Sequence, residues 1–248
     1  MRETEITASR GAIYDTNGKI LAMNASVDTI FISPAEIAKN KEDPQLIARE
    51  LSEILDVDYN KILAMTKNTD RWYEVVKRKV EPDVSEKVRA FKKENKLIGV
   101  KIEPDTKRYY PYGTTASTVL GFTGTDNQGL AGIETEYDSE LTGTAGRLVS
   151  AKNAQGDDMP FQYDQYVQAQ DGYDLVLTID ETAQSIVEKH LQAGLEACGA
   201  LEGGTAVLMN VKTGAILALS TKGDYDPNDP FTISQEAEDA IPEKVEDA

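Results

Sequence analysis

Asn17-Gly18 is the dipeptide that most constrains this chain, because it separates two short apolar runs, Ile13-Tyr14 and Ile20-Leu21-Ala22. A tight type I′ turn needs positive φ at both central positions, which Asn and Gly tolerate, and it matches the twist of paired strands. A hairpin over residues 13–22 is therefore the first element expected. Thr29-Ile30-Phe31-Ile32 reads as another short strand before Pro34. Helical spacing follows it. Asp43 caps a helix opened by Pro44, with Leu46, Ile47, Leu51, Ile54 and Leu55 on one face. Asp58 caps a second helix that buries Ile62, Leu63 and Met65. Trp72 to Val80 reads as a strand whose Lys77-Arg78-Lys79 end is a solvated edge. A further helix runs from about Ser85 to Glu94, with Val84, Val88 and Phe91 at helical spacing. Gly99 closes its turn, and Val100 to Glu103 is a strand.

Arg108 to Gly146 is dense in glycine, with Gly113, Gly121, Gly124, Gly129, Gly132, Gly143 and Gly146 spacing compact turns. Neither phosphate-loop spacing of glycines occurs. Ile133 to Leu141 reads as a helix stopped near Gly143. Asp157 to Gly172 is polar and acidic, and the domain boundary is placed there. Beyond it Tyr173 to Ile179 reads as a strand. Asp180 then caps a long helix on which Ala183, Ile186, Val187, His190, Leu191 and Leu195 share a side. Thr205 to Asn210 and Ala215 to Ser220 form a second hairpin around Lys212-Thr213-Gly214, and the acidic Gln235–Ala248 tail is expected to be flexible. The fold class is α+β. An elongated non-catalytic module of short strands and helices covers residues 1–165, and an incomplete α/β piece covers 166–248.

A formal charge of -17 repels phosphate backbones, which argues against nucleic acid as a partner. One cysteine, Cys198, excludes an internal disulfide and reads as a buried inert thiol; one histidine, His190, excludes a multi-histidine metal site. No cofactor is indicated. No stretch approaches the ~18 apolar residues of a membrane span, and no signal-peptide pattern opens the chain, so it reads as a soluble polypeptide.

Three segments, in order, carry a family resemblance. They are Arg10-Gly11-Ala12-Ile13-Tyr14-Asp15-Thr16-Asn17-Gly18-Lys19-Ile20-Leu21-Ala22, then Arg108-Tyr109-Tyr110-Pro111-Tyr112-Gly113 with Leu120-Gly121-Phe122, then Gly129-Leu130-Ala131-Gly132-Ile133-Glu134 with Leu141-Thr142-Gly143-Thr144-Ala145-Gly146. Together they resemble the non-catalytic module of class B penicillin-binding proteins, with Thr16 where the family's first motif usually has arginine. The resemblance continues through Asp174 to Asp180, Ala206 to Asn210 and Tyr225-Asp226-Pro227-Asn228, which look like the start of the family's transpeptidase domain. By this resemblance, residues 1–165 are the dimerisation or pedestal domain and 166–248 an N-terminal fragment of the transpeptidase.

Family chemistry needs a nucleophilic serine with a lysine one helical turn later, a Ser-x-Asn element and a Lys-Thr-Gly strand. No serine here begins Ser-x-x-Lys or Ser-x-Asn. Lys212-Thr213-Gly214 spells the third motif at a hairpin turn, which reads as a backbone preference. No catalytic residue is therefore assigned. The carboxylates of Glu134 and Glu136 read as a solvated helix face, although Arg10 or Arg108 is a candidate to hold Glu134 through its guanidinium. The residues expected to act structurally or in partner binding are Arg10, Gly11, Asp15, Asn17, Gly18, Arg108, Tyr110, Pro111, Gly113, Gly121, Gly129, Gly132, Glu134, Gly143 and Gly146. The resemblance implies partners among cell-wall synthesis proteins, polymerase or scaffold, and leaves a homodimer open. It places the parent protein on the extracytoplasmic face of the bacterial membrane, held by an N-terminal anchor outside this chain.

Overall fold

The computed structural model describes residues 2–6, 8–150, 165–200 and 203–232. Residues 157–164 of the expected linker and the whole Gln235–Ala248 tail lie outside them. Strand β1 (Arg2–Ile6) precedes the hairpin, whose arms are β2 (Ile13–Tyr14) and β3 (Ile20–Ile32). The turn forms through Asp15, whose Oδ1 accepts the backbone N–H groups of Asn17 and Lys19 at 2.8 Å each. Gly18 takes φ +80°. β3 joins the two apolar runs that the sequence pattern separates. It pairs with three neighbours, and those ladders, rather than local alternation, keep it extended.

Helix α1 (Pro34–Asn40) is absent from the sequence reading, although Ser33 caps it and Pro34 occupies its first turn. The anticipated helices follow as α2 (Pro44–Leu55), capped by Asp43, and α3 (Tyr59–Thr66), capped by Asp58. Next come β4 (Glu74–Val80), α4 (Pro82–Glu94) and β5 (Val100–Tyr109), the last running well past Glu103. The basic cluster of β4 is more than a solvated edge. Lys79 Nζ lies 2.9 Å from Asp105 Oδ1, and Lys77 donates to the Leu55 carbonyl that the end of α2 leaves unpaired.

The glycine-rich stretch contains α5 (Ser117–Leu120), α6 (Gly132–Glu136) and α7 (Asp138–Thr142). One continuous helix was expected over Ile133–Leu141. Tyr137, at φ -108° and ψ 27°, breaks it in two. Strands β6 (Gly146–Ser150), β7 (Gln165–Val167) and β8 (Leu175–Val176) follow, then α8 (Glu181–Cys198) and the hairpin of β9 (Thr205–Met209) and β10 (Ile216–Thr221). β8 is much shorter than the expected Tyr173–Ile179 strand and runs parallel to β2, with Ile13 beside Leu175. β6 lies antiparallel between β1 and β7. The fold is mixed, with helices and strands interleaved along the chain.

Two compact units emerge, Ala25–Lys107 and the combination of Met1–Asn24 with Arg108–Ala248. This division follows packing and is separate from the boundary at 165 read from composition. The Ala25–Lys107 core gathers Ile30 and Ile32 of β3, Ile47 and Leu51 of α2, Ile62 of α3, Val76 of β4 and Val88 of α4, all buried. Each fully buried aliphatic side chain of this kind contributes about 1.5–3 kcal/mol. The other unit packs Ile13, Leu21, Tyr110, Leu120 and Leu141 together.

α8 has the expected length and cap, with Asp180 Oδ1 accepting from Thr182 and Ala183 N–H at 2.9 and 3.1 Å. Its packing differs from expectation. Gln184 is its buried residue, and Ile186 is 54% exposed. The Gln184 amide grips Leu219 of β10 from both sides, donating to its carbonyl at 2.9 Å and accepting its N–H at 2.8 Å. Cys198 is exposed rather than buried, because it is the last helical residue before the left-handed Gly199. His190 is exposed as well.

Candidate functional site

Three of the expected residues converge on one buried charge. Glu134 lies on α6 with its side chain fully enclosed, so its partner on the chain, Glu136, faces solvent instead. Residues two apart on a helix point to different sides, which corrects the reading of the pair as one solvated face. Arg10, just before β2, donates from Nε to Glu134 Oε2 at 2.8 Å and from Nη2 to the Glu134 carbonyl at 2.8 Å. Arg108, near the end of β5, donates from Nε to Glu134 Oε1 at 2.7 Å. Each carboxylate oxygen thus has its own guanidinium.

The second acid of the cluster escapes the sequence reading. Arg10 Nη1 donates to Asp138 Oδ1 at 2.7 Å and to Thr142 Oγ1 at 2.8 Å, and Gly129 N–H donates to the same Asp138 oxygen at 2.8 Å. The break at Tyr137 lets α6 and α7 aim Glu134 and Asp138 at one arginine. Arg108 Nη1 reaches the Gly11 carbonyl at 2.7 Å and Asn24 Oδ1 at 3.2 Å, and Asn24 Nδ2 donates to the Arg10 carbonyl at 2.6 Å. Two guanidinium groups therefore meet two carboxylates in a formally neutral clasp. Such a cluster is compatible with burial because its charges are paired and hydrogen-bonded.

Tyr110 stands in the same pocket, its hydroxyl donating to Glu134 Oε1 at 3.3 Å. Burial, and then the negative Glu134, push its phenol far above the usual tyrosine range. It is a fixed donor at every physiological pH. Asn228 brackets the Tyr110 backbone, accepting its N–H at 3.0 Å and donating to its carbonyl at 3.1 Å. The likeness of Tyr225-Asp226-Pro227-Asn228 was legible in the sequence; this attachment was not. Burial raises the Asp138 carboxyl, but the Gly129 N–H and Arg10 outweigh it and hold the acid below its ordinary value.

The other motif residues frame the clasp or lie apart from it. Gly11 is buried where a Cβ would stand 1.9 Å from the Tyr173 carbonyl oxygen, so only glycine lets these two segments approach, just ahead of β2 and β8. Gly129 packs against the Glu134 carbonyl, where a Cβ would come within 1.9 Å. Gly121 and Gly132 face each other across the α5–α6 approach, and Gly143 and Gly146 lie against the 167–172 backbone. Asp15 serves a different junction. Its Oδ2 accepts the Glu181 N–H at 3.2 Å, joining the hairpin turn to the start of α8, where Asn17 also donates to Asp180 at 2.9 Å. Burial opposes its ionisation, yet the N–H groups of Lys19, Glu181 and Asn17 keep it below the ordinary aspartate value. Gly18, Pro111 and Gly113 are turn residues outside the clasp. Lys212, Thr213 and Gly214 occupy the exposed turn between β9 and β10.

Among the described residues no cluster of His, Cys, Asp and Glu is arranged to hold a metal. No helix among them is long and apolar enough to cross a membrane.

The buried arginine–glutamate–arginine bridge ties residues 10, 108 and 134 of this mixed fold together. Residues 5–177 match the family model described as the penicillin-binding protein dimerisation domain. Stage V sporulation protein D of Bacillus subtilis is 35% identical over 233 residues, covering 92% of this chain and 34% of that protein. The peptidoglycan D,D-transpeptidase FtsI of Escherichia coli K12 is 30% identical over 243 residues, covering 96% of this chain and 40% of its own length. The fold also matches a solved complex between penicillin-binding protein PBP2 and MreC from Helicobacter pylori. That match has a TM-score of 0.74 and 21% identity, over 98% of this chain and 47% of the other. The chain belongs to the class B penicillin-binding proteins. It spans between about a third and two fifths of the length of these curated relatives.

Proposed function

We propose that this chain is the pedestal and protein-docking part of a peptidoglycan transpeptidase, positioning the catalytic domain without performing the chemistry itself. The observation that carries this reading is the clasp. Arg10, Arg108 and Glu134 are consumed in binding one another, so the family motifs here hold structure rather than face a substrate. None of the 11 serines is followed at the third position by lysine, which leaves the chain without the nucleophile–amine pair of the family. Residues 1–165 form the pedestal in this proposal, and 166–248 open the transpeptidase domain. Asn228 serves that junction by tying a late segment to the Tyr110 backbone.

The partners in this reading are polymerase or scaffold proteins of cell-wall synthesis on the extracytoplasmic face of the bacterial membrane. The solved PBP2–MreC complex with the same fold supports it, since that relative meets a partner protein. Incubation with a fluorescent penicillin, followed by intact mass, is expected to give no adduct. A stoichiometric adduct would overturn the non-catalytic reading. The tagged chain is expected to co-purify a cell-wall polymerase or scaffold from solubilised membranes; recovery of neither would remove the docking role.

A further inference from the structure

Charge is unevenly divided along this acidic chain. Ala25–Lys107 holds 16 Lys and Arg against 16 Asp and Glu, so the remaining 10 and 27 account for the entire -17. Within the neutral unit four of these sixteen cations line one groove beside α4 and the turn after it. Arg89, Lys92, Lys93 and Lys96 surround a groove of about 410 Å³ whose apolar wall is Leu97 and Ile102. Arg89 is held at 2.8 Å by Asp28 and more loosely by Glu86 at 3.7 Å. Lys92, Lys93 and Lys96 form no ion pair. Three cations without an ion pair thus share one concavity, although the charges of Glu36 and Glu42 are felt at Lys92.

We propose that this groove docks an acidic segment of a partner protein, one that places an apolar side chain against Leu97 and Ile102 and carboxylates against Lys92, Lys93 and Lys96. The inference rests on the docking reading above and names the chemistry of one partner surface. Charge complementarity selects the carboxylates, because the site is positive on a molecule that is otherwise strongly negative. The apolar wall selects a side chain that a free anion lacks. The cations also ring a depression instead of lying on a flat face, which suits an inserted peptide better than a layer of lipid headgroups. Lys92 already feels the crowding. Its burial, followed by the nearby Lys101 charge, lowers its amine below the ordinary lysine value, a strain that an incoming carboxylate relieves.

The test uses the full chain and a fluorescein-labelled peptide of repeated Glu-Glu-Leu, read by fluorescence anisotropy at low and physiological salt. Binding is expected, weakening with salt, and stronger than for polyglutamate of equal length. The combined Lys92→Glu, Lys93→Glu and Lys96→Glu variant is expected to weaken it roughly tenfold or more, at about 0.5 kcal/mol for each exposed charge lost. Lys39→Glu, Lys61→Glu and Lys67→Glu together make the same charge change elsewhere on the unit and should leave it within about twofold, since distant exposed charges are screened. Lys93→Glu alone supplies a partial loss should the triple variant melt early. Three results overturn the proposal: no peptide binding, equal loss in both triple variants, or tighter capture of phosphatidylglycerol vesicles than of peptide. Because purified components are used, failure here removes the groove and leaves the pedestal reading to its own co-purification test.

Discussion

The two compact units solve burial by different means. Ala25–Lys107 encloses fourteen apolar residues in one cluster, drawn from four helices, three strands and the turn after α4. The unit of Met1–Asn24 and Arg108–Ala248 encloses seven in its main cluster and places Arg10, Arg108 and Glu134 among the buried residues beside them. Aliphatic packing tolerates exchange of one hydrophobe for another of similar volume. A buried ionic clasp is less forgiving, because loss of one member strands the charge of the others. The comparison teaches that sensitivity to mutation should differ in kind between the units, by volume in one and by charge in the other.

Glu134→Ala is expected to give the largest effect, about 3–5 kcal/mol of lost stability in urea denaturation, since two buried guanidinium groups lose their shared partner. Amide exchange should rise most in Met1–Asn24 and Arg108–Asn228. A uniform rise over both units, or a loss below about 1 kcal/mol, would break the comparison. Arg10→Met, Glu134→Leu and Arg108→Met made together should cost less than Glu134→Ala alone, because no unpaired charge remains. Leu51→Ala, at a fully buried site of α2, is expected to cost about 2–5 kcal/mol, with the exchange loss centred on Ala25–Lys107.

A smaller change, about 1 kcal/mol, is expected for Asp43→Ala, which removes the 2.9 Å cap on the Gln45 N–H at the start of α2. Asp43→Asn should retain most of it. Acid sharpens the contrast further. Asp15 and Asp138 in one unit and Asp105 in the other are all held below their ordinary values. A carboxyl lowered in the fold stabilises it fully above its unfolded value of about 4 and loses that contribution as pH falls through the lower folded value. Melting temperature should therefore be insensitive to these groups above about pH 5 and drop below pH 4. Exchange should respond more strongly in the unit that carries two such groups, Asp15 and Asp138. Equal stability at pH 3 and pH 6 would refute this.

The region after Tyr173 shows how an exposed hydrophobe can mislead a sequence reading. Apolar spacing along α8 and the apolar runs of β9 and β10 are real, and the helix and the hairpin both form. Yet Ile186, Val207 and Val211 are 54%, 58% and 86% exposed, and α8 buries a glutamine against β10. Periodicity identifies an apolar face; it does not supply the surface that covers it.

What the sequence determined by itself was the local layer. Asn17-Gly18, the Asp43, Asp58 and Asp180 caps, and the apolar spacing of α2 and α4 act over four residues or fewer, so their signals survive without knowledge of the rest of the chain. The motif residues were also visible, as was a bond between an arginine and Glu134 as a candidate. Tertiary structure decided that both arginines share Glu134, that Asp138 joins them, and that β2 runs beside β8. Those contacts bridge separations as large as 162 residues, and which distant groups meet depends on how every intervening turn directs the chain. A charge in a sequence is neutral about its partner; only the folded path brings one within hydrogen-bonding distance and excludes the water that would otherwise compete.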